Sequence, residues 1–250
     1  MSDSVIEIRG LHKTFRDFWF RPVAEAVNGV DLDVKVGDVF GLLGPNGSGK
    51  STTIKMVLGL LAPTSGSVRL FGQSPRSRAA RARLGYLPEL SYLHPFLTAR
   101  ETVMYYAGLS GMDRRTAKRR TSGLLVQVGL ENAADRAVGG FSKGMARRVA
   151  FASALVSSPE LLILDEPTSG LDPIGTREVK ELIRKLSADG MTILVTSHQL
   201  FDMQDVCSRV AILSHGRVVG CGRVADIVSA ASDPRHALED YFVDCLRKAK

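Results

Sequence analysis

Cysteine is scarce in this chain of 250 residues: Cys207, Cys221 and Cys245 are odd in number and nowhere form a Cys-x-x-Cys pair. That pattern excludes a disulfide framework and the common zinc motifs, and three reduced thiols are expected. No apolar run approaches the roughly 20 residues that a membrane-spanning helix requires. The opening Met1-Ser-Asp-Ser-Val lacks the basic-then-apolar layout of a secretory leader, so a soluble, cytoplasmic protein is expected. Acid is the charge in deficit, with 26 Asp and Glu against 33 Lys and Arg, a net of +7. This excess suits nucleic acid, an anionic membrane surface or a nucleotide polyanion, and does not choose among them. Aromatics make up only 6% of the chain, yet four crowd into Phe15-Arg-Asp-Phe-Trp-Phe-Arg-Pro22. One of these rings could stack on a base, or the segment could be a loop tucked onto the core. Internal repeats and low-complexity tracts are lacking. The length suits one sizeable core with a satellite subdomain better than two full domains.

What is present is organised around Gly44-Pro45-Asn46-Gly47-Ser48-Gly49-Lys50-Ser51-Thr52, which fits the phosphate-loop pattern G-x-x-x-x-G-K-[ST] at every fixed position. A short apolar run precedes it, and apolar residues at helical spacing follow as far as Leu61, so the context is strand, loop, helix. Glycines let the backbone curl until successive N–H groups point inward at phosphate oxygens, and the helix N-terminus adds positive potential. Lys50 is suited to the outer phosphates. The Ser51 hydroxyl is suited to Mg²⁺, which keeps most of its water and takes few protein oxygens.

Strands are predicted over residues 5–9, 30–34 and 66–71, forming an antiparallel layer beside a nucleotide core. Leu84-Gly-Tyr-Leu-Pro88 reads as a further strand. Thr98-Ala-Arg-Glu101 is a capping box that starts a helix to about residue 108, and a second helix is predicted over about 113–128. Its first turns carry Arg114, Arg115, Lys118, Arg119 and Arg120, a solvated face or a contact for anionic lipid or RNA. Residues 90–157 thus form a mostly helical insert. Afterwards strands at 161–164, 191–196 and 210–213 alternate with helices at about 173–188 and 199–207, which implies a parallel sheet with crossover helices. A terminal helix is predicted over 234–250.

Leu161-Leu-Ile-Leu-Asp165-Glu166 is a buried-type strand ending in two carboxylates, which belong at the carboxyl edge of a parallel sheet, where ligands bind. Asp165 is placed to hold the Mg²⁺ shell and Glu166 to polarise an attacking water. His198 follows another strand and is expected at the same edge, as a phosphate contact. No Asn-Lys-x-Asp guanine-reading sequence occurs, which favours ATP over GTP.

With these motifs in place, the chain resembles the ATP-binding cassette of ABC transporters over essentially its whole length. Phe141-Ser-Lys-Gly-Met145 falls where that family has its Leu-Ser-Gly-Gly-Gln signature and is followed by Arg148. Ser169-Gly-Leu-Asp172 matches the D-loop, His198 the switch histidine and Gly85-Tyr-Leu-Pro-Glu89 the Q-loop. The resemblance implies an α/β P-loop NTPase with a RecA-like parallel core, an antiparallel β subdomain and an inserted α-helical subdomain. The division expected is one ABC domain over 1–250, with 1–89 and 158–250 as core and β layer and 90–157 as the helical part. It implies ATP and Mg²⁺, with Glu166, His198 and Lys50 catalytic, and with Ser51, Asp165 and Glu89 at the metal. The nucleotide is met by residues 44–52, by Asp172, and by Ser142 and Gly144 acting on the ATP of a second cassette, a homodimer being expected. Phe15 stands where the family stacks adenine, with Phe18, Trp19 and Phe20 as rivals. Lys143 and Met145 depart from the signature in a form resembling drug, sodium or polysaccharide exporters, and Glu89 stands in place of the usual Q-loop glutamine. A separate permease docking near residues 89–95 and the helical insert would place the chain on the cytoplasmic face of the membrane. The rival is a non-transport ABC ATPase acting on nucleic acid or ribosomes, suggested by the basic charge, although no long coiled coil or second cassette is present.

Overall fold

Val39–Leu43 is the strand from which the phosphate loop departs, and all five residues are buried, as expected for a strand covered on both faces. The computed structural model describes residues 4–248, so residues 249–250 of the predicted terminal helix, and Met1 to Asp3, lie outside the described residues. Two compact units divide the chain, one of residues 1–81 and 190–250, the other of residues 82–189.

In chain order the elements are β1 (Ser4–Arg16), β2 (Pro22–Lys35), β3 (Val39–Leu43), α1 (Lys50–Val57), β4 (Ser65–Leu70), α2 (Arg78–Ala82), β5 (Leu84–Leu87), α3 (Ala99–Leu109), α4 (Arg114–Gln127), α5 (Lys143–Leu155), β6 (Leu161–Asp165), α6 (Pro173–Ala188), β7 (Thr192–Ser197), α7 (Leu200–Gln204), β8 (Arg209–Ser214), β9 (Arg217–Arg223), α8 (Val224–Ala230) and α9 (Ala237–Lys248).

In the first unit β2, β1 and β4 make the expected antiparallel sheet, with β1 central. β3 pairs in parallel with β7 on one side and β8 on the other, and β9 returns antiparallel to β8. Leu43 faces Ser197 in the β3–β7 register. The phosphate loop and His198 therefore leave adjacent strands at the same carboxyl edge. Several features differ from what the sequence predicts. β1 and β2 run much further than predicted, to Arg16 and from Pro22, so the aromatic segment is the tip of a hairpin and is not tucked onto the core. α7 is half the predicted length, because after Asp205 the chain must deliver Ser208 to the sheet, where its N–H bonds the Val39 carbonyl. β9 and α8 were not predicted. They follow a tight turn in which His215 and Gly216 both have positive φ, of 46° and 74°, the geometry of a two-residue hairpin.

In the second unit β5 and β6 are parallel, with Leu87 facing Leu164. Glu89 and Asp165 thus leave one carboxyl edge. The capping box forms as predicted, the Thr98 hydroxyl accepting from the Glu101 N–H while the Glu101 carboxylate accepts from the Thr98 N–H. Asp113 caps α4 through the N–H groups of Arg115 and Thr116. Asp172 caps α6, which has proline in its first turn and is followed by Gly190 with φ 85°, an asymmetry that fixes both ends. Buried Val103, Ala107, Leu124, Leu125, Val149 and Phe151 supply the core of this unit.

Candidate functional site: the phosphate loop and the carboxylate edge

The phosphate loop is held by parts of its own unit that are distant in sequence. The Ser48 carbonyl accepts from the Gly216 N–H at 3.0 Å, in the β8–β9 turn. A Cβ on Gly44 would run into the Leu213 carbonyl oxygen, and one on Gly49 into that of Ala26. Gly49 also has φ 106° and leads α1, whose N-terminus carries no side-chain cap and no acidic residue in its first turn. Uncapped helical N–H groups and a positive dipole end make an anion site. Lys50 is 6% exposed and curls over the loop, its Nζ donating to the Gly44 carbonyl at 2.7 Å and the Pro45 carbonyl at 3.2 Å. The Ser48 hydroxyl is buried with no hydrogen-bond partner among the described residues. A buried orphan hydroxyl is costly in a finished structure, and phosphate oxygens are the acceptors that this loop is shaped for. Ser51 and Thr52 occupy the first turn of α1, and His198 is exposed just past β7. Phe15 is 41% exposed on β1, with Lys13 Nζ 5.3 Å from its ring centroid.

In the second unit Asp165 and Glu166 end β6, 7% and 6% exposed. Glu166 takes a left-handed backbone with φ 47°, a strained state for a non-glycine residue that surrounding contacts must hold. Arg147 does the holding, and the sequence reading missed it in favour of its neighbour Arg148. Buried on α5, Arg147 donates to the carbonyls of Asp165 at 3.0 Å, Glu166 at 2.8 Å and Pro167 at 3.0 Å. It also reaches the carbonyls of Pro88 at 2.6 Å and Glu89 at 2.9 Å. One guanidinium therefore ties the Q-loop strand end to the carboxylate strand end. Burial pulls its pKa down to about 10, against the opposing pull of Asp165 and Glu89. Tyr86 beside it is pushed up to about 12, first by burial and then by Asp165. Only a basic residue six positions after the signature's start, Phe141, hints at this role in the sequence.

Ser142 is the exposed N-cap of α5, its hydroxyl accepting from the Met145 N–H at 3.2 Å. Gly144 has ordinary contacts only, the nearest atom to an added Cβ being 3.9 Å away. The Asp172 carboxylate accepts from the Gly175 N–H at 2.8 Å. Among the described residues no cluster of three or more His, Cys, Asp and Glu forms a self-contained metal site, and no helix is long and apolar enough to cross a membrane.

A phosphate loop with a curled lysine, and a buried strand ending in paired carboxylates, define a P-loop ATPase, a domain that binds and hydrolyses ATP. Comparison with known proteins narrows the class. The family model described as ABC transporter matches residues 27–169. The Nod factor export ATP-binding protein I of Burkholderia orbicola is 42% identical over 89% of this chain and 72% of its own length. An uncharacterized ABC transporter ATP-binding protein of Synechocystis is 38% identical over 90% of this chain, which spans 64% of that relative. Among solved structures, one titled as the ATP binding subunit of an ABC transporter superposes with TM-score 0.83, at 29% identity, over 97% of this chain and all of that one. A dimeric ATP-binding cassette in a post-hydrolysis state, bound to ADP and Pi, follows with TM-score 0.78 at 26% identity, covering 88% of this chain and 98% of its own. The chain belongs to the ABC transporter family, as an ATP-binding, ATP-hydrolysing subunit.

Proposed function

We propose that the chain powers export through a separate transmembrane permease, closing head to tail with a second cassette, in the simplest case a copy of itself, around two ATP molecules. The observation that carries this is the phosphate loop, with its uncapped α1 N-terminus, its orphan Ser48 hydroxyl and the curled Lys50. Residues 44–52 hold the phosphates, Lys50 exchanging the Gly44 and Pro45 carbonyls for phosphate oxygens, and Phe15 stacks on adenine. The hydroxyl of Ser51 and the carboxylates of Asp165 and Glu89 are hard oxygen donors, the kind Mg²⁺ takes, and these residues are assigned to it. When bound, Mg²⁺ neutralises phosphate charge. Glu166 orients and deprotonates the attacking water, and His198 contacts the terminal phosphate. Ser142 and Gly144 meet the partner cassette's nucleotide, and Asp172 lies at the junction. ATP binding then favours the closed pair, and hydrolysis removes that bias.

Export is supported by six relatives named for Nod factor export, at 37–42% identity, together with the Lys143 and Met145 form of the signature. Another solved relative, cbiO1 from Clostridium perfringens, is titled as part of a transporter complex, with TM-score 0.80 at 28% identity over 92% of each chain. Permease docking is assigned to residues 89–95, beside a mainly apolar cavity of about 270 Å³ that Tyr86, Pro88, Tyr92, Leu93 and Tyr106 help to line. On this reading the chain acts as one ABC domain, with 90–157 as its helical subdomain, on the cytoplasmic face of the membrane. None of these relatives is named for nucleic acid. The decisive experiment is Lys50→Ala, which is expected to abolish ATP binding or turnover; full ATPase activity in that variant ends the assignment.

A further inference from the structure

The tip of the β1–β2 hairpin carries three consecutive large aromatics, all strongly exposed. Phe18, Trp19 and Phe20 are 87%, 70% and 79% exposed in succession. Single exposed apolar side chains are ordinary, but three adjacent large aromatics pointing at water mark a contact surface. The tip is also built. Asp17 Oδ1 accepts from the N–H groups of Trp19 at 2.8 Å and Arg21 at 2.9 Å, and the Asp17 carbonyl accepts from Phe20 N–H at 3.0 Å. Arg16 Nη1 donates to the Phe20 carbonyl at 2.8 Å. Phe20 is thereby kept at φ 60°, a left-handed state uncommon outside glycine, asparagine and aspartate. Asp17 is the only carboxylate between Arg9 and Ala24; its Oδ1 is taken by backbone N–H groups of the turn and its Oδ2 lies 3.7 Å from Arg21 Nε, in a guanidinium that stays mostly exposed. The outward surface is left to three aromatics, with Phe18 and Trp19 edge to face at 5.4 Å, flanked by Arg16 and Arg21.

We infer that this tip seats in the headgroup–acyl boundary of an anionic lipid bilayer. Two features select lipid. Tryptophan and phenylalanine beside arginine match the polarity gradient of that boundary, rings in the acyl margin and guanidiniums at the phosphates. The shape is a convex knob: a rigid protein covers it on all sides only with a matching socket, whereas fluid lipid closes around it without one. Neither nucleotide nor permease is required, so this inference stands or falls apart from the assignment of the ATP site.

Trp19 is the only tryptophan of the chain, so its emission reports on the tip directly. The full chain, without nucleotide, is mixed with vesicles of phosphatidylcholine carrying about one-third phosphatidylglycerol, and with phosphatidylcholine alone. Expected are a blue shift, protection from acrylamide quenching and co-sedimentation, all stronger with the anionic vesicles. Phe18→Ser with Phe20→Ser is expected to weaken partitioning about tenfold or more, and Arg16→Gln with Arg21→Gln to remove the preference for anionic lipid. An unchanged thermal unfolding midpoint shows that the variants fold. Emission that ignores vesicles, or a shift that survives the double serine variant, overturns the inference. So does Trp19 shielding by ATP and Mg²⁺ alone, which gives the tip to the nucleotide, or shielding only in a lipid-stripped complex with the permease, which gives it to protein.

Discussion

Arg147 Nη2 donates to the carbonyl oxygen of Glu166 at 2.8 Å, pinning the one backbone position of the carboxylate strand that sits at positive φ. The catalytic carboxylate proposed here is thus aimed by a residue that touches its main chain. Arg147→Met keeps the apolar stem and deletes every donor, leaving five carbonyls to find water or go unpaired. Removing one side of such a buried polar cluster costs about 3 kcal/mol, measured by denaturant unfolding. ATP turnover is expected to fall further than stability explains, with Arg147→Lys recovering only part, since an ammonium cannot match the planar fork. Normal turnover in a folded Arg147→Met protein would show that Glu166 needs no such aiming.

Glu166→Gln keeps the shape of the side chain and removes the base. ATP is expected to bind, hydrolysis to fall by a factor of about 100 or more, and a closed dimer to accumulate. Light scattering in ATP reads the dimer. A variant that stays monomeric and turns over normally contradicts the role given to Glu166.

The parts of the fold that were legible in the sequence are those set by local chemistry. The phosphate loop, the Thr98–Glu101 capping box and the Asp172-Pro173 start of α6 each carry their geometry in a few adjacent residues. β9 is a half-exposed edge strand with two glycines, Gly220 and Gly222, and has no apolar alternation to read. The β1–β2 hairpin was hidden because Arg16, Asp17 and Pro22 weaken a strand pattern that cross-strand pairing supplies. Arg147 was hidden for a related reason: on a helix an arginine reads as solvated surface, and its partners lie up to 59 positions away.

Ser142 is assigned to the nucleotide of the partner cassette, so its loss is expected to be repaired in a mixed dimer. Ser142→Arg and Lys50→Ala subunits, each inactive alone, are expected to restore one intact site when combined. Because the Ser142 hydroxyl also caps α5, its replacement costs about 1 kcal/mol of stability, and unfolding of each parent is measured first. Mixed dimers without restored hydrolysis would rule out action in trans.

Glu89 lies two residues beyond Leu87, which faces Leu164 in the β5–β6 register, so it leaves the same edge as Asp165. Its carbonyl is held by Arg147 at 2.9 Å, while its side chain is exposed and the chain beyond it borders the cavity given to the permease. On the function proposed above, this one residue serves both metal and partner. A carboxylate ligates Mg²⁺ at least as well as the amide usual in the family, since that ion favours hard, charged oxygens. On the proposed assignment it also adds a negative charge to the phosphate site, which would weaken the grip on nucleotide when the metal is absent. Glu89→Gln is expected to hold basal ATPase within about tenfold, less than roughly 1.4 kcal/mol in the barrier. Its ATP affinity in chelator is expected to exceed that of the parent. Glu89→Ala is expected to uncouple: basal turnover persists in part, but stimulation by the permease and its cargo is lost. The comparison is ATPase of the isolated cassette against the reconstituted complex for both variants. Stimulation that survives Glu89→Ala would make Glu89 a solvated loop acid and leave coupling to the residues that line the neighbouring cavity.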